Sequence, residues 1–348
     1  MNTAARAGLM AAAFAFATML ASCAEPPAPP PPPPPPPVSM APKLIEQAAA
    51  YRYYMDRAAA ISPAFVNGQT VADGLRVAAA YEPKQFLQGA MAYGAIVALQ
   101  DEAFMASVKQ YAANPQQRQQ IAYEIMKDPA YVVGIGGSHS AAGLVIAAIG
   151  ADGKKFYEAG KTVKQAAYDV QKQPWSKADV PARDARLQQA KMLGSTPVVG
   201  DVTETTRLQE AIAGADTLEI TGQTATPPFT PLVIRSLAVA ALAGLGSATD
   251  ANLETLNAIM VEPNVNSCAN MAKLNLYQCL AVSKPHYEDV FCLGQHAMMD
   301  TARCVIKASG QPEPYEPKFV PTIRENASYK PTPAKKPAKS AKKSAKKG

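Results

Sequence analysis

An all-α protein is what the sequence predicts, and three observations predict it. Apolar residues recur at spacings of three and four through most of the stretch from Pro42 to Gly310, the period of a helix with one buried face. Alanine is abundant while aromatic residues make up only 7% of the chain, and alanine-rich stretches poor in Val and Ile favour helix over sheet. Only Thr217–Thr221 reads as a strand. The expected architecture is a helical bundle ending in a disulfide-stapled helical hairpin.

In chain order, the first helical stripe is Leu44, Ala48, Tyr51, Met55 and Ala58. Pro83 is placed to open a second helix, since proline lacks an N–H that the first turn leaves unpaired anyway. Phe86, Leu87, Ala90, Met91 and Gly94 form its buried side. Phe104, Met105, Val108 and Tyr111 mark a third helix, with Asp101-Glu102 as its start. Ile121, Ile125 and Met126 mark a fourth. Asn114-Pro115 and Asp128-Pro129 punctuate these elements, because the residue before a proline is pushed out of helical backbone. Val132–Ile149 and Leu232–Leu245 are unusually apolar, but short for membrane spans, which need roughly 20 residues. Ser138-His139-Ser140 in the first and Arg235 in the second point to buried helices packed through small residues. Residues 174–230 are looser, with Pro174, Pro181, Pro197 and Pro227-Pro228. A pair of lobes, 43–173 and 190–310, is compatible with that break.

The N-terminus reads as an export signal. Arg6 supplies a positive charge, and the apolar run from Gly8 to Leu20, about 13 residues, suits a signal rather than a spanning helix. It ends in Leu20-Ala21-Ser22-Cys23, which resembles the lipobox of bacterial lipoprotein precursors. The resemblance implies cleavage before Cys23, diacylglycerol on the Cys23 sulfur and a further acyl chain, such as palmitate, on the new amino group. Several acyl chains give stable anchoring where one gives only marginal binding. Ala24 rather than Asp follows the cysteine, which in enteric lipoproteins directs the chain to the outer membrane.

Residues 26–37 are proline except for Ala28, a run that forms polyproline II and acts as a stiff spacer of roughly 3.1 Å per residue. At the other end, residues 334–348 read as a low-complexity tail with no apolar side chain beyond alanine, expected to be disordered. The chain thus divides into a signal at 1–22, a lipidated cysteine and spacer at 23–41, a helical body at 42–310, a proline-rich extended segment at 311–333 and the tail. The formal charge of +6 hides a segregation. Residues 330–348 hold eight lysines and no acid, and the signal holds Arg6. Removing these nine charges from +6 leaves −3 for residues 7–329.

Besides Cys23, four cysteines remain: Cys268, Cys279, Cys292 and Cys304. In a chain bound for an oxidising compartment an even set reads as disulfides. The flanking pattern is two helices, about 266–282 and 285–309, around Ser283-Lys284-Pro285. Within one helix, 11 or 12 residues span about 16–18 Å, while a disulfide needs Cα atoms within about 7 Å. Residues equidistant from the apex of a hairpin face each other, which selects Cys279 with Cys292 and Cys268 with Cys304. The arrangement is similar to twin-cysteine hairpins such as the coiled-coil–helix–coiled-coil–helix proteins, although their spacings are shorter. One difficulty stands: at about 100° per residue, Cys292 and Cys304 fall roughly 120° apart around an ideal helix. A kink near Gly294, or Cys292 at a frayed helix start, is required. Zinc fits less well without close C-x-x-C pairs, and free thiols remain a third state.

No catalytic constellation stands out. His286 and His296 are ten residues apart, not a ligand spacing, and His139 lies in Gly134-Ile135-Gly136-Gly137-Ser138-His139-Ser140. That stretch lacks the strand-to-helix context of a nucleophile elbow or phosphate loop and reads as helix packing. Trp175 reads as a loop residue pinned on the core. No cofactor or metal is expected. The leading expectation is a non-enzymatic, lipid-anchored envelope protein with a structural or binding role. Its partners would be the membrane, an anionic polymer such as peptidoglycan or lipopolysaccharide, and a protein. Lys335, Lys336, Lys339, Lys342, Lys343, Lys346 and Lys347 are the candidate polymer contacts. The alternatives are an envelope enzyme with a site invisible in one sequence, and a nucleic-acid binder. The second alternative is disfavoured because no aromatic residue interleaves with the lysines. Cys23→Ser is expected to block lipidation and leave an uncut or soluble chain; a native N-terminus that mass spectrometry finds unmodified, at a residue other than 23, would refute the lipid anchor.

Overall fold

A computed structural model describes residues 36–316. The signal, Cys23, nearly all of the proline run and the lysine tail lie outside the described residues. Among the described residues the architecture is all-α, with no strand. The helices are α1 (Pro42–Ala59), α2 (Gly68–Ala78), α3 (Pro83–Ala98), α4 (Glu102–Ala113), α5 (Pro115–Lys127), α6 (Ser138–Asp169), α7 (Arg183–Leu193), α8 (Val202–Ala213), α9 (Pro231–Gly244), α10 (Leu253–Ile259), α11 (Pro263–Val282), α12 (His286–Cys292) and α13 (Thr301–Ser309). Together they form one compact unit.

The punctuation works through side-chain caps. Asn114 accepts hydrogen bonds from the backbone N–H groups of Gln116 and Gln117, and Pro115 takes the first helical position of α5. Glu82 does the same for Lys84 and Gln85 ahead of Pro83, and Asp101 accepts from Phe104. Each cap satisfies donors that a helix start leaves unpaired. Every residue of the α1 stripe is buried, as are Phe86, Leu87, Ala90, Met91 and Gly94 of α3. Helix α3 is buried from Phe86 to Ala98 and packs against α1, α6 and α9. The chain enters this core at the end of α9, where Ser39 and Ala41 donate to the carbonyls of Ala243 and Ala248 at 3.4 and 2.6 Å. No described helix is long and apolar enough to cross a membrane.

Two local expectations are corrected. Thr217–Thr221 is not a strand: Glu219 takes a left-handed φ of 51°, which breaks the pleat, and the segment has no ladder partner. It continues across the start of α6, where Ala225 N–H donates to His139 O at 3.0 Å. The loose stretch 174–230 also contains two helices, α7 and α8. Their apolar signal is faint because α7 buries only Ala190 and α8 only Leu208 and Ala211.

The C-terminal hairpin pairs α11 with a second arm made of α12, a π-helix over Leu293–Asp300 and α13. Cys268 is bonded to Cys304 and Cys279 to Cys292, with Cα separations of 5.8 and 5.7 Å. The π-helix removes the angular difficulty. It turns by roughly 80–85° per residue rather than about 100°, so over Leu293–Asp300 it takes up on the order of 120–160°. Both cysteines of the second arm then face α11. This arm lies along α6 at short range: a Cβ at Gly160 would come 2.8 Å from Met298 Cβ, and one at Gly294 would stand 2.4 Å from the Lys164 backbone nitrogen. No larger residue fits at either position without moving a helix.

The two bridges close loops of different length, with sequence separations of 36 and 13. Replacing Cys268 and Cys304 by Ala is expected to cost about 4 kcal/mol, and replacing Cys279 and Cys292 about 3 kcal/mol, if loop entropy dominates. Denaturant unfolding of the two double variants measures both; an unchanged midpoint for either would contradict the assignment.

Candidate functional site

Helix α7 packs beside the hairpin apex and joins it to α2. The chain ahead of α7 pairs with the apex, as Val180 N–H donates to Lys284 O at 2.8 Å and His286 N–H to Ala178 O at 3.2 Å. The last turn of α11 then presents its unpaired carbonyls to α7. Arg183 donates to Ser283 O and Ala281 O at 2.7 and 3.0 Å, and Arg186 donates to Leu280 O. Cations favour this negative end of a helix.

Arg186 also pairs with Asp289, which sits in the first turn of α12. Their side chains are 9% and 3% exposed, so the pair is buried. Ser283 Oγ donates to the same Asp289 oxygen at 2.7 Å. Burial pushes the Asp289 carboxyl up, the Arg186 charge and the two hydrogen bonds pull it back, and the balance stays above the ordinary carboxylate value. Above this pair opens a cleft of about 760 Å³ between α2, α7 and α12. Gln69, Gln188, Gln189, Met192 and His286 line it, and Arg186 and Asp289 form its floor. The size suits a small molecule or a short stretch of polymer. Side-chain amides offer both donors and acceptors, so the rim matches amide- and hydroxyl-bearing ligands.

The residues singled out in sequence fall in different places. His286 reaches the cleft, with the half-buried Trp175 ring 6.1 Å from its own. His296 Nδ1 instead contacts Asp300 Oδ2 at 2.8 Å within the π-helix, where Gln295 donates to the other carboxylate oxygen at 3.0 Å. Burial alone would raise the Asp300 carboxyl; the bonds from His296 and Gln295 outweigh it and hold it below its ordinary value. Ser138 and Ser140 spend their hydroxyls on the carbonyls of Val133 and Gly137 at 2.7 and 2.9 Å. His139 packs edge-on against Phe229. Among the described residues no three His, Cys, Asp or Glu side chains converge as a metal site. Cys23 and the tail lysines lie outside the described residues.

The Arg186–Asp289 floor was missed in sequence. Asp289 reads there as a favourable helix-start charge, and nothing local ties it to an arginine 103 positions earlier. The chain matches no protein-family model, no curated protein and no solved structure.

Asp289→Asn removes the counter-charge of a buried guanidinium and is expected to destabilise the fold by about 3–5 kcal/mol. Replacing Arg186 and Asp289 together by Met and Leu should recover most of that loss. Equal destabilisation by single and double variants in guanidinium unfolding would show that the pair is not coupled.

Proposed function

We propose that this chain is a lipid-anchored protein of the bacterial cell envelope whose helical body binds, rather than transforms, an envelope polymer in the cleft between α2, α7 and α12. The observation that carries the reading is the cleft itself. Its rim is rich in side-chain amides and its floor is an ion pair engaged with itself and with Ser283 and Leu280. The Asp289 carboxylate is held by Arg186 and Ser283, while Arg186 Nε is buried without a hydrogen-bond partner. Such a floor holds shape and polarity but offers no activated nucleophile or base, which favours binding over catalysis. Peptidoglycan is the polymer of choice, because its acetamido groups, hydroxyls and peptide amides complement glutamine side chains. Export to an oxidising compartment agrees with two disulfides in the C-terminal hairpin. The lysine tail adds a second contact of a different kind, a sequence-tolerant attraction to anionic polymer.

Ala185 lines the cleft, and Ala185→Trp should fill it. The variant is expected to lose at least tenfold in co-sedimentation with purified peptidoglycan while keeping its unfolding midpoint. Retained sedimentation in a folded variant would overturn the cleft assignment. Deleting residues 334–348 should lower the salt concentration that releases the protein, because exposed charges are screened beyond roughly 10 Å at 0.1 M salt. An unchanged salt profile would remove the tail from the binding function.

A further inference from the structure

A second pocket lies on the other side of α7. It measures about 510 Å³ and opens between the start of α3, the end of α7 and the middle of α11. Lys273 lies against it and is only 5% exposed. Its Nζ donates to Ala79 O at 3.0 Å and rests 3.7 Å from the centre of the Tyr81 ring. No carboxylate among the described residues pairs with it; Glu82, the nearest acid acting on it, spends its oxygens on the start of α3. A lysine buried without a counter-ion is a costly arrangement for a purely structural cation.

Gly194 packs directly against the amine where both line the pocket. A Cβ at this position would stand 2.6 Å from Lys273 Nζ and would collide with Tyr277 Oη. The backbone there is ordinary right-handed helix, with φ of −71°, so the glycine is needed for space and not for conformation. The amine and the phenol take the space a side chain would fill, next to each other at the wall of the pocket. Ser195 and Asn270 line the same pocket and can hydrogen-bond a hydroxylated ligand.

We propose that Lys273 is a carbonyl-capturing amine, which condenses with a small hydroxylated aldehyde in the pocket beneath Gly194. The Nζ lone pair attacks the carbonyl carbon and forms the C–N bond. The carbonyl oxygen takes the Tyr277 proton, giving a carbinolamine. The nitrogen then gives up both of its protons, one to the departing hydroxyl, which leaves as water as the nitrogen lone pair closes the C=N bond, and one to the phenolate. No oxidant or reductant is needed. Two further features support the step. Burial pushes Lys273 down to about 7, against the pull of Glu82, so roughly a thousandfold more of it is neutral at pH 7 than of an exposed lysine. Burial also pushes Tyr277 up, which keeps the phenol protonated as a donor. The titratable groups facing the amine are Tyr81, Glu82, Tyr277 and, at the rim, Lys191.

The test exposes the full-length mature protein, disulfides intact, to limiting glycolaldehyde and cyanoborohydride at pH 7. Peptide mapping reads the hydroxyethyl group on each lysine. Lys273 is expected to react at least tenfold faster than the exposed lysines, with a rate that levels off above a midpoint near pH 7. Gly194→Ala should cut the Lys273 rate at least tenfold, and Tyr277→Phe severalfold, with the other lysines unchanged. Those unchanged lysines, with a native circular dichroism spectrum, separate blocked access from misfolding. Reaction of Lys273 no faster than its exposed neighbours, or a rate that keeps rising to pH 10, would overturn the proposal.

Discussion

The close approach of the hairpin's second arm to α6 is the contact on which the rest of the molecule depends. Helix α6 is 32 residues long, about 48 Å at 1.5 Å per residue. It carries glycines where the arm crosses it, and the arm answers with Gly294. Packing at this distance buries two faces at once: α12, the π-helix and α13 rest on α6, while Cys292 of α12 and Cys304 of α13 reach α11. Since α6 also packs on α3, the buried centre and the cross-linked hairpin share one long strut.

The hairpin in turn organises the side of the molecule that bears α7. That helix buries one small side chain of its own and would not hold its place by apolar contact. Arg183 and Arg186 attach it to the carbonyl end of α11, and Asp289 from α12 completes the attachment. Both pockets flank α7, one against α12 and α2, the other against α3 and α11. A weakly apolar helix fixed by polar contacts is thus a wall common to both pockets.

Much of the fold was legible in sequence because its signals are local. The period of the α1 stripe, the Asn114-Pro115 and Asp101-Glu102 starts and the apolar run of α9 each follow from a few neighbouring residues. The cysteine pairs were legible because the apex at Ser283-Lys284-Pro285 fixes which positions face each other. What escaped was non-local or nearly featureless. Helices α7 and α8 lack an apolar stripe, and the Arg186–Asp289 pair spans 103 positions. The π-helix was visible only as a requirement, an angle that an ideal helix could not close. Lys273 was silent, since a buried lysine and an exposed one look alike until the neighbours at Tyr81 and Gly194 are known.

The attachment of Ser39 and Ala41 to the end of α9 has a mechanical consequence. Any pull on the preceding chain reaches the body at Ala243 and Ala248 before it reaches α1. The buried side chains of Met40 and Ala41 must leave their seats together with these hydrogen bonds. Force is then shared between α9, in the interior, and α1, which packs on α3. Helix α1 is thereby shielded from unwinding at its first turn when the chain ahead of it is pulled.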